Sequence, residues 1–392
     1  MLAVLSPTRK LMRKAIAVAA FIGLAACDPV MMTTAGGGGP RVDTASPVPV
    51  ALLVPRSDSS AGAVASSMEN AARLALASLD GVQIDLRVYD TAGNAQQAAT
   101  QAERAVAEGA KIILGPLYGE ASNAAGVAVA DNGVNVMSFS NNPSIAGGNV
   151  FILGPTFRNT ANRLLGYAAR QGKNSVVIVH PQNLEGEFGK AAIQAAAAQN
   201  GVRVAAVESF AFSQESVNAA VPRIRDSVQS NGADSVFLTS TAAGALPMFL
   251  QLLPEAGLSP ATTQYMGLAR WDVPTQILSM PGAQGGYFTL SDPGATTAFE
   301  SRYRAQYGAA PHPLAGLAFD GIAAVGALVQ QGRSDALGTR ALTQNSGFQG
   351  ANGVFRLRPD GTNERGLAVA TVRNNQVTIL DPAPSGFGGA GF

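Results

Sequence analysis

Four short segments rich in hydroxyl, amide and free backbone N–H groups each follow an apolar run that predicts a buried strand. They span residues 56–60, 116–119, 138–142 and 239–241. In open parallel sheets, ligands bind beyond the carboxyl ends of strands, where helix N-termini direct N–H groups outward. The segments therefore predict a site for a small polar ligand, and the alternative is a set of ordinary N-caps. The candidate ligand-binding residues in them are Ser57, Leu117, Tyr118, Gly119, Ser138, Ser140, Asn141, Thr239 and Ser240.

Residues that usually carry catalysis or hold metals are scarce. The chain has one cysteine, Cys27, and two histidines, His180 and His312. Zinc sites of the usual kind need more Cys and His ligands than that, so no metal and no cofactor is predicted. The nucleophile elbow, the P-loop and the glycine fingerprint of dinucleotide-binding strands are missing from the sequence. A carboxylate-pair glycosidase has no positive support, and we predict a protein that is not an enzyme.

The first 27 residues have the composition of an export signal. Four basic residues within 9–14 precede the apolar run 15–26, which ends at Cys27. A basic segment, a short apolar segment and small residues at the cut are typical of a secretory signal peptide. The run Leu24-Ala25-Ala26-Cys27 resembles the bacterial lipobox, which implies cleavage before Cys27 and its acylation with chains such as palmitate. The alternatives are a free cysteine after an ordinary signal, or a membrane span, for which the run is too short.

The rest of the chain divides by composition. Removal of residues 1–26 would leave 23 Lys and Arg against 26 Asp and Glu, a balance that indicates no nucleic-acid surface. Residues 27–47 contain Gly and Pro with little apolar periodicity, which predicts a flexible tether. The Pro/Gly-rich segment 382–392 is predicted to be disordered. The body from 48 to 381 is too long for one ordinary core and is predicted to form two lobes.

Apolar runs and helical patterns alternate along this body. The predicted strands lie at 50–54, 84–89, 111–114, 134–139, 175–179, 202–207 and 235–238. The predicted helices lie at 62–79, 95–108, 120–131, 189–199, 217–230, 295–307 and 314–330. A β-ribbon with turns at 359–361 and 374–375 follows. The pattern predicts an α/β fold with two doubly wound parallel-sheet lobes.

Several segments, in this order and spacing, resemble a known family. They are 62–80, 89–94 (Tyr-Asp-Thr-Ala-Gly-Asn), 113–119, 137–143 and 318–321 (Ala-Phe-Asp-Gly). Over residues 48–381 the chain resembles the leucine-binding protein family, the type I periplasmic binding proteins. Residues 138–141 with 146–150 resemble a lipoprotein branch described as activators of penicillin-binding proteins, the cell-wall synthases.

The resemblance implies three crossovers between the lobes, near residues 156, 289 and 350, with ligand bound in the cleft. The implied bounds are 48–156 with 290–349 for the N-terminal lobe and 157–289 with 350–381 for the C-terminal lobe.

The resemblance also implies roles for individual residues. The region of Gly119 and Asn141 would hold a ligand carboxylate, and Phe188 would pack on the ligand. Amino-acid binders of the family pair the ligand ammonium with an acid, but Ala269 occupies the matching position, so we expect weak binding of free leucine. Arg270 next to it favours an anionic or carbonyl-bearing ligand, with Trp271 as a stacking face. The alternative is that Arg270 pairs with Asp272 or lies in solvent and that Trp271 belongs to the core.

Two further acids, Glu185 and Glu187, lie on the turn after strand 175–179 and are the nearest alternative partners for a ligand ammonium, although a solvated helix start is the favoured interpretation.

Two functions from different classes remain open. The favoured hypothesis is a lipid-anchored periplasmic protein that activates a penicillin-binding protein in peptidoglycan synthesis. The alternative is the substrate-binding component of an ABC transporter for amino acids or another small polar solute. The partners would be the membrane, through the lipid anchor, and either a cell-wall synthase or an ABC permease. Asp28 resembles a signal that retains some lipoproteins in the inner membrane, and the choice between inner and outer membrane stays open.

Overall fold

The computed structural model describes residues 39–388, whose strands form three sheets. The predicted signal peptide, Cys27, most of the tether and residues 389–392 lie outside the described residues. The strands are β1 (Val48–Val54), β2 (Ile84–Asp90), β3 (Ile112–Leu114), β4 (Asn135–Ser138), β5 (Val150–Ile152), β6 (Ser175–Pro181), β7 (Arg203–Phe210), β8 (Ser235–Leu238), β9 (Gln264–Gly267), β10 (Tyr287–Ser291), β11 (Phe348–Gly350), β12 (Gly353–Leu357), β13 (Asn363–Arg365), β14 (Leu367–Arg373) and β15 (Gln376–Asp381).

Helices alternate with these strands, and several begin at side chains that cap them. The helices are α1 (Gly62–Leu76), α2 (Ala95–Ala107), α3 (Gly119–Val129), α4 (Phe157–Arg170), α5 (Leu184–Gln199), α6 (Gln214–Ser230), α7 (Leu246–Glu255), α8 (Pro293–Tyr307), α9 (Ala315–Val329) and α10 (Thr339–Leu342). At the start of α5, the Asn183 side chain accepts a hydrogen bond from the backbone N–H of Gly186. Asp292 caps α8 in the same way, and such caps satisfy N–H groups that have no partner within the helix.

The first lobe is built on a parallel five-stranded sheet with the order β2-β1-β3-β4-β5. Alternate residues of β1 enter different cores. Leu52 packs in one core with Met68 of α1, and Leu53 packs in another with Ala105 of α2. This burial on both faces explains why β1 is a continuous apolar run.

The second lobe is built on a seven-stranded sheet with the order β15-β14-β10-β9-β8-β6-β7. Its pairs from β7 to β10 are parallel, and β14 and β15 extend it by antiparallel pairing. Cores lie on its two faces, one around Phe249 and Trp271 and the other around Leu164 and Ile193. The two sheets and their helices confirm the predicted α/β class with two doubly wound lobes.

The chain passes between the lobes after β5, after β10 and after β13. The third connection lies at Gly366 rather than near residue 350, because Phe348 and Phe355 of β11 and β12 pack in the core of the first lobe. A buried ion pair lies at this junction, where Arg365 Nη1 is 2.9 Å from Asp320 Oδ2 and Arg365 Nε donates to Leu153 O. Burial raises the pKa of Asp320, and Arg365 counteracts that rise.

The segment after β15 departs from the predicted disorder. Gln349 Nε2 donates to Ser385 O at 3.1 Å, and the Arg356 guanidinium lies 4.6 Å from the ring centre of Phe387. Residues 382–388 therefore run from the second-lobe sheet back onto β11 and β12. The sequence pattern missed these contacts because they depend on tertiary packing of a Pro/Gly-rich segment.

Most predicted elements are present, with shifts of a few residues at their ends. The elements that the sequence pattern did not predict are β5, β9, β10, β11, β13, α4, α7 and α10. Within residues 39–388, no helix is long and apolar enough to cross a membrane. The same residues contain no cluster of three or more His, Cys, Asp or Glu that could hold a metal ion.

Candidate functional site

The turn after β3 requires a glycine and places its neighbours on different sides. Gly115 has a φ of +91°, and a Cβ there would lie 2.2 Å from the carbonyl oxygen of Leu53. Leu117 then packs against the core of the first lobe, whereas Tyr118 is 38% exposed. Tyr118 and Gly119 line a shallow surface cavity together with Asp58. Tyr118 is therefore accessible to a ligand, and Leu117 supports the turn.

The turn after β4 is a closed network of hydroxyl groups. Ser138 Oγ donates to Ser122 Oγ at 2.7 Å and accepts from the Ser140 N–H at 3.0 Å. Ser140 Oγ accepts from the Asn142 N–H, and both Ser138 and Ser140 are buried. Asn141 is exposed. Ser138 and Ser140 therefore shape this turn, and Asn141 is the member of the set that a ligand can reach.

The turn after β1 is also held by internal hydrogen bonds. Ser57 is exposed, and its backbone N–H donates to Asp90 Oδ1 at 3.2 Å. The same carboxylate oxygen accepts from the Ala92 N–H at 2.9 Å. Burial acts to raise the pKa of Asp90, but the hydrogen bonds from Ser57, Ala92 and Arg56 outweigh it and lower that pKa overall.

The corresponding turn of the second lobe, after β8, contains polar atoms without partners. Thr239 and Ser240 are buried, and neither hydroxyl oxygen has a hydrogen-bond partner among the described residues. Both line a small cavity of about 50 Å³ with Phe212, whose side chain is 72% exposed. Buried hydroxyl groups of this kind are costly unless a ligand or solvent satisfies them.

Arg270 and Trp271 do not form the expected ligand-binding pair. Trp271 is fully buried, and its ring stacks on Phe288 with ring centres 6.0 Å apart. The expectation of a stacking face for ligand is therefore corrected, since this side chain fills the second-lobe core between Gly267 and Gly286. Arg270 Nε donates to Asp272 Oδ1 at 2.9 Å, and this carboxylate raises the pKa of Arg270.

Arg270 still lines a cavity of about 450 Å³ between the lobes, with Glu300 and His312 on the opposite side.

A cavity of about 720 Å³ lies between the lobes and is lined by residues that include Asn141 and Phe188. We call it the main cavity. The first lobe lines it with the turn after β4 and with the turn between β12 and β13, and the second lobe lines it with α4 and α5. Its apolar wall is formed by Phe157, Leu184, Phe188, Ala191, Ala192 and Ala195. Its volume lies within the range of pockets that enclose small organic ligands.

Two charged side chains of the main cavity have no ion-pair partner among the described residues. They are Arg158, in the first turn of α4, and Glu185, in the first turn of α5. Glu187 differs from its neighbour, because it pairs with Lys190 and lies 3.5 Å from His180. The Lys190 side chain lowers the pKa of Glu187. Glu185 is therefore the acid that remains available to a cationic group.

A family model described as periplasmic binding protein matches residues 47–376. The chain belongs to this family. A comparison with the curated proteins gives no match. The solved structures similar to this periplasmic binding protein share its fold at low sequence identity, and it has the type I periplasmic binding fold.

One such structure is a candidate branched-chain amino acid ABC transporter protein from Rhodospirillum rubrum. It is 19% identical, with a TM-score of 0.72 over 86% of this chain and 100% of that one. A branched-chain amino acid ABC transporter periplasmic ligand-binding protein from Burkholderia xenovorans LB400 is 17% identical, with a TM-score of 0.67 over 86% and 96%. A solute-binding protein from R. palustris in complex with benzoate is 17% identical, with a TM-score of 0.54 over 87% and 97%.

The structure of this periplasmic binding protein brings only some of the candidate residues together. Asn141 and Phe188 share the main cavity, which joins the two lobes as the resemblance implies. Tyr118 with Gly119, Thr239 with Ser240, and Arg270 line three other cavities. The candidates therefore line four separate cavities and do not converge on one point.

Sequence reasoning missed Arg158, although its position gives a signal. It lies two residues after Thr156, whose N–H donates to Asn159 Oδ1 at the start of α4. A residue in the first turn of a helix that follows a crossover lies at the lobe junction. The helix itself was not predicted, so the residue was not placed.

Proposed function

We propose that this protein is a non-enzymatic ligand-binding protein of the periplasm. It takes a small amphiphilic solute into the main cavity and serves as the substrate-binding component of an ABC transporter. The observation that carries the proposal is a cavity of about 720 Å³ that both lobes line, since closure of two lobes on a bound solute is a common hinge motion. Membership of the periplasmic binding protein family and the transporter proteins among the similar structures support it.

The lining of the main cavity indicates the chemistry of the solute. The alanine-rich face of α5, together with Phe157 and Phe188, suits an apolar group. Arg158 suits a carboxylate, which a guanidinium binds with paired hydrogen bonds. Glu185 suits an ammonium group. Because Ala269 occupies the position that matches the family acid, free leucine is expected to bind weakly compared with larger amphiphilic solutes.

Thermal melting against leucine, 4-methylpentanoate, benzoate and the dipeptide Leu-Leu tests this function. A solute at a hundredfold excess over its Kd stabilises the folded chain by about 2.7 kcal/mol, which raises the Tm by several degrees. We expect Phe188→Ala to weaken the best solute at least severalfold by calorimetry. Val207→Ala is the matched control, because Val207 is similarly exposed (40% against 38%) but lies on β7, outside the main cavity. A Tm that no solute changes would contradict the proposal.

A second candidate function is activation of a penicillin-binding protein, and Ala269 and Arg270 favour it. The position of the family's ligand-binding acid is occupied by alanine, and the neighbouring arginine is engaged by Asp272. A cleft that has lost a ligand contact can persist in a protein that acts through its outer surface. Glycan polymerisation by a purified cell-wall synthase, measured with and without this protein, tests it. An unchanged polymerisation rate would rule it out.

Membrane attachment through a lipid on Cys27 is part of either proposal. The lipobox-like run before this residue supports it. Cys27→Ser should abolish acylation and release the protein from the detergent phase. An unchanged mass of the mature N-terminus in that variant would contradict the anchor.

A further inference from the structure

A second cavity adjoins the main cavity and is lined mostly by polar residues. It has a volume of about 330 Å³. Asn159, Asn162, Gln199, Arg358 and Glu364 line both cavities, so the two spaces are neighbours along the lobe junction. We call it the arginine chamber, after five arginines in its lining, which are Arg163, Arg170, Arg356, Arg358 and Arg365.

The second lobe contributes two of these arginines from α4. Arg163 Nη1 and Arg170 Nη2 lie 3.0 Å and 2.9 Å from the same carboxylate oxygen of Asp381. Arg163 is almost fully buried and also donates to Leu367 O at 2.6 Å, which fixes its position. Two guanidinium groups share one carboxylate, so this cluster carries one excess positive charge.

The first lobe contributes a cluster of the same composition from the hairpin of β12 and β13. Arg356 Nε donates to Glu364 Oε2 at 2.6 Å, and Arg358 Nη1 donates to Glu364 Oε1. The Arg358 side chain is 42% exposed, so its remaining N–H groups can be reached, whereas Arg356 Nη1 already donates to Asn345 O at 3.4 Å. The lining residues of this cluster also carry one excess positive charge, and the Asp360 carboxylate, which lies outside the lining, interacts electrostatically with Arg358. Arg365 adds none, because Asp320 neutralises it.

Two positive clusters, one from each lobe, thus line one partly enclosed polar space. A carboxylate placed there would gain charge-assisted hydrogen bonds, which arginine can make in pairs. It would also relieve the repulsion between the two excess charges. The chamber therefore favours an anionic group, and one that contacts both lobes.

Two buried carboxamide oxygens at the same junction have no hydrogen-bond partner within residues 39–388. They are Oδ1 of Asn162, which lines both cavities, and Oδ1 of Asn363, which lines the main cavity. Asn363 is only 4% exposed, and its Nδ2 already donates to Ile152 O and Gly154 O. Each oxygen can accept a hydrogen bond from a donor on a ligand, and backbone N–H groups are such donors.

We infer that the ligand is a short acidic peptide that occupies both cavities. Its apolar part lies against α5 in the main cavity, its amino group is near Glu185, and a carboxylate reaches the arginine chamber. This inference rests on the proposed ligand-binding function and narrows its solute to a peptide with an acidic side chain. A single amino acid would leave the chamber unfilled.

The dipeptides Leu-Glu and Leu-Gln test the inference, because they differ by one carboxylate in nearly equal volume. By calorimetry, we expect the full folded chain to bind Leu-Glu about tenfold or more tightly than Leu-Gln, as a charged hydrogen bond implies. In Arg170→Gln and Arg358→Gln this preference should fall towards unity. Arg333→Gln is the matched control, because Arg333 is a comparably exposed arginine paired with Asp335 outside both cavities. The control should keep the preference.

Each result separates the inference from the proposed function. Equal binding of Leu-Glu and Leu-Gln, with either of them bound, would overturn the inference and leave the ligand-binding function in place. A preference that survives both arginine substitutions would overturn it too. Inorganic phosphate that binds as tightly as Leu-Glu would reassign the chamber to simple anions. Failure of every solute, including leucine and benzoate, would overturn both. If Arg170→Gln unfolds, Arg358→Gln decides, since Arg356 still holds Glu364 in that variant.

Discussion

The turn after β4 in the first lobe and the turn after β8 in the second lobe both contain hydroxyl side chains, and we call these turns the first-lobe rim and the second-lobe rim. They differ in whether the hydroxyl groups have hydrogen-bond partners. On the first-lobe rim, a chain of hydrogen bonds runs from the Ser140 N–H after β4 through the hydroxyl groups of Ser138 and Ser122 to Pro116 O after β3. On the second-lobe rim, the hydroxyl groups of Thr239 and Ser240 are buried without partners among the described residues. The difference shows that hydroxyl groups in such a turn can stabilise the fold in one lobe, whereas those in the other lobe remain available to a ligand or solvent.

The largest expected effect is on the first-lobe rim. Ser138→Ala removes the acceptor of the Ser140 N–H and the donor to Ser122, which leaves a buried N–H unpaired. We expect a loss of about 1–3 kcal/mol in the free energy of unfolding. Urea denaturation of the apo protein measures it. A loss below about 0.5 kcal/mol would show that the network is not part of the framework.

A smaller effect is expected for the matched change on the second-lobe rim. Ser240→Ala removes a buried hydroxyl that has no hydrogen-bond partner in the described part of the chain, so the free energy of unfolding should change by no more than about 0.5 kcal/mol. The same urea series, run beside Ser138→Ala, provides the comparison. Equal losses of unfolding free energy in the two variants would contradict the difference that we infer between the two turns.

The smallest effect concerns acid pH and the carboxylate of Asp90, at the end of β2 in the first lobe. Hydrogen bonds from Ser57 and Ala92 outweigh the effect of burial and give Asp90 a folded pKa below its ordinary value. A lowered folded pKa contributes stability that is present above the unfolded pKa and is lost as the pH falls through the folded value. Asp90→Asn should therefore lose less stability than the wild type between about pH 5 and about pH 3. Parallel curves for both proteins in melting experiments would refute this.

The fold was largely predictable because its strands are buried on both faces. Runs such as that of β1 are apolar throughout, and the helices between them have a regular apolar face. Predictions failed where the apolar content is low or the element is short. Strand β5 has only three residues, and α4 is polar in overall composition, although its apolar residues lie on one face.

The candidate site was predictable only in part. Strand ends were located correctly, but whether a hydroxyl there is satisfied depends on atoms from other turns, as the pair of Ser138 and Ser122 illustrates. Trp271 could not be assigned from the sequence, because its burial depends on the two glycines that make room for its ring. The arginine chamber was missed because Arg163 and Asp381 lie on distant elements. The available signal was the spacing of Arg356 and Arg358, because residues two apart in an extended segment lie on the same face.

The segment 382–388 has a mechanical consequence. It leaves the second-lobe sheet after Asp381 and lies on the first-lobe hairpin, where Phe387 covers Arg356 and Ser385 accepts from Gln349. It thus adds a fourth link between the lobes, outside the three crossovers of the fold. Wider separation of the two lobes would have to break the contact between Phe387 and Arg356, a residue of the arginine chamber. The same few contacts therefore join the two lobes and cover part of the chamber.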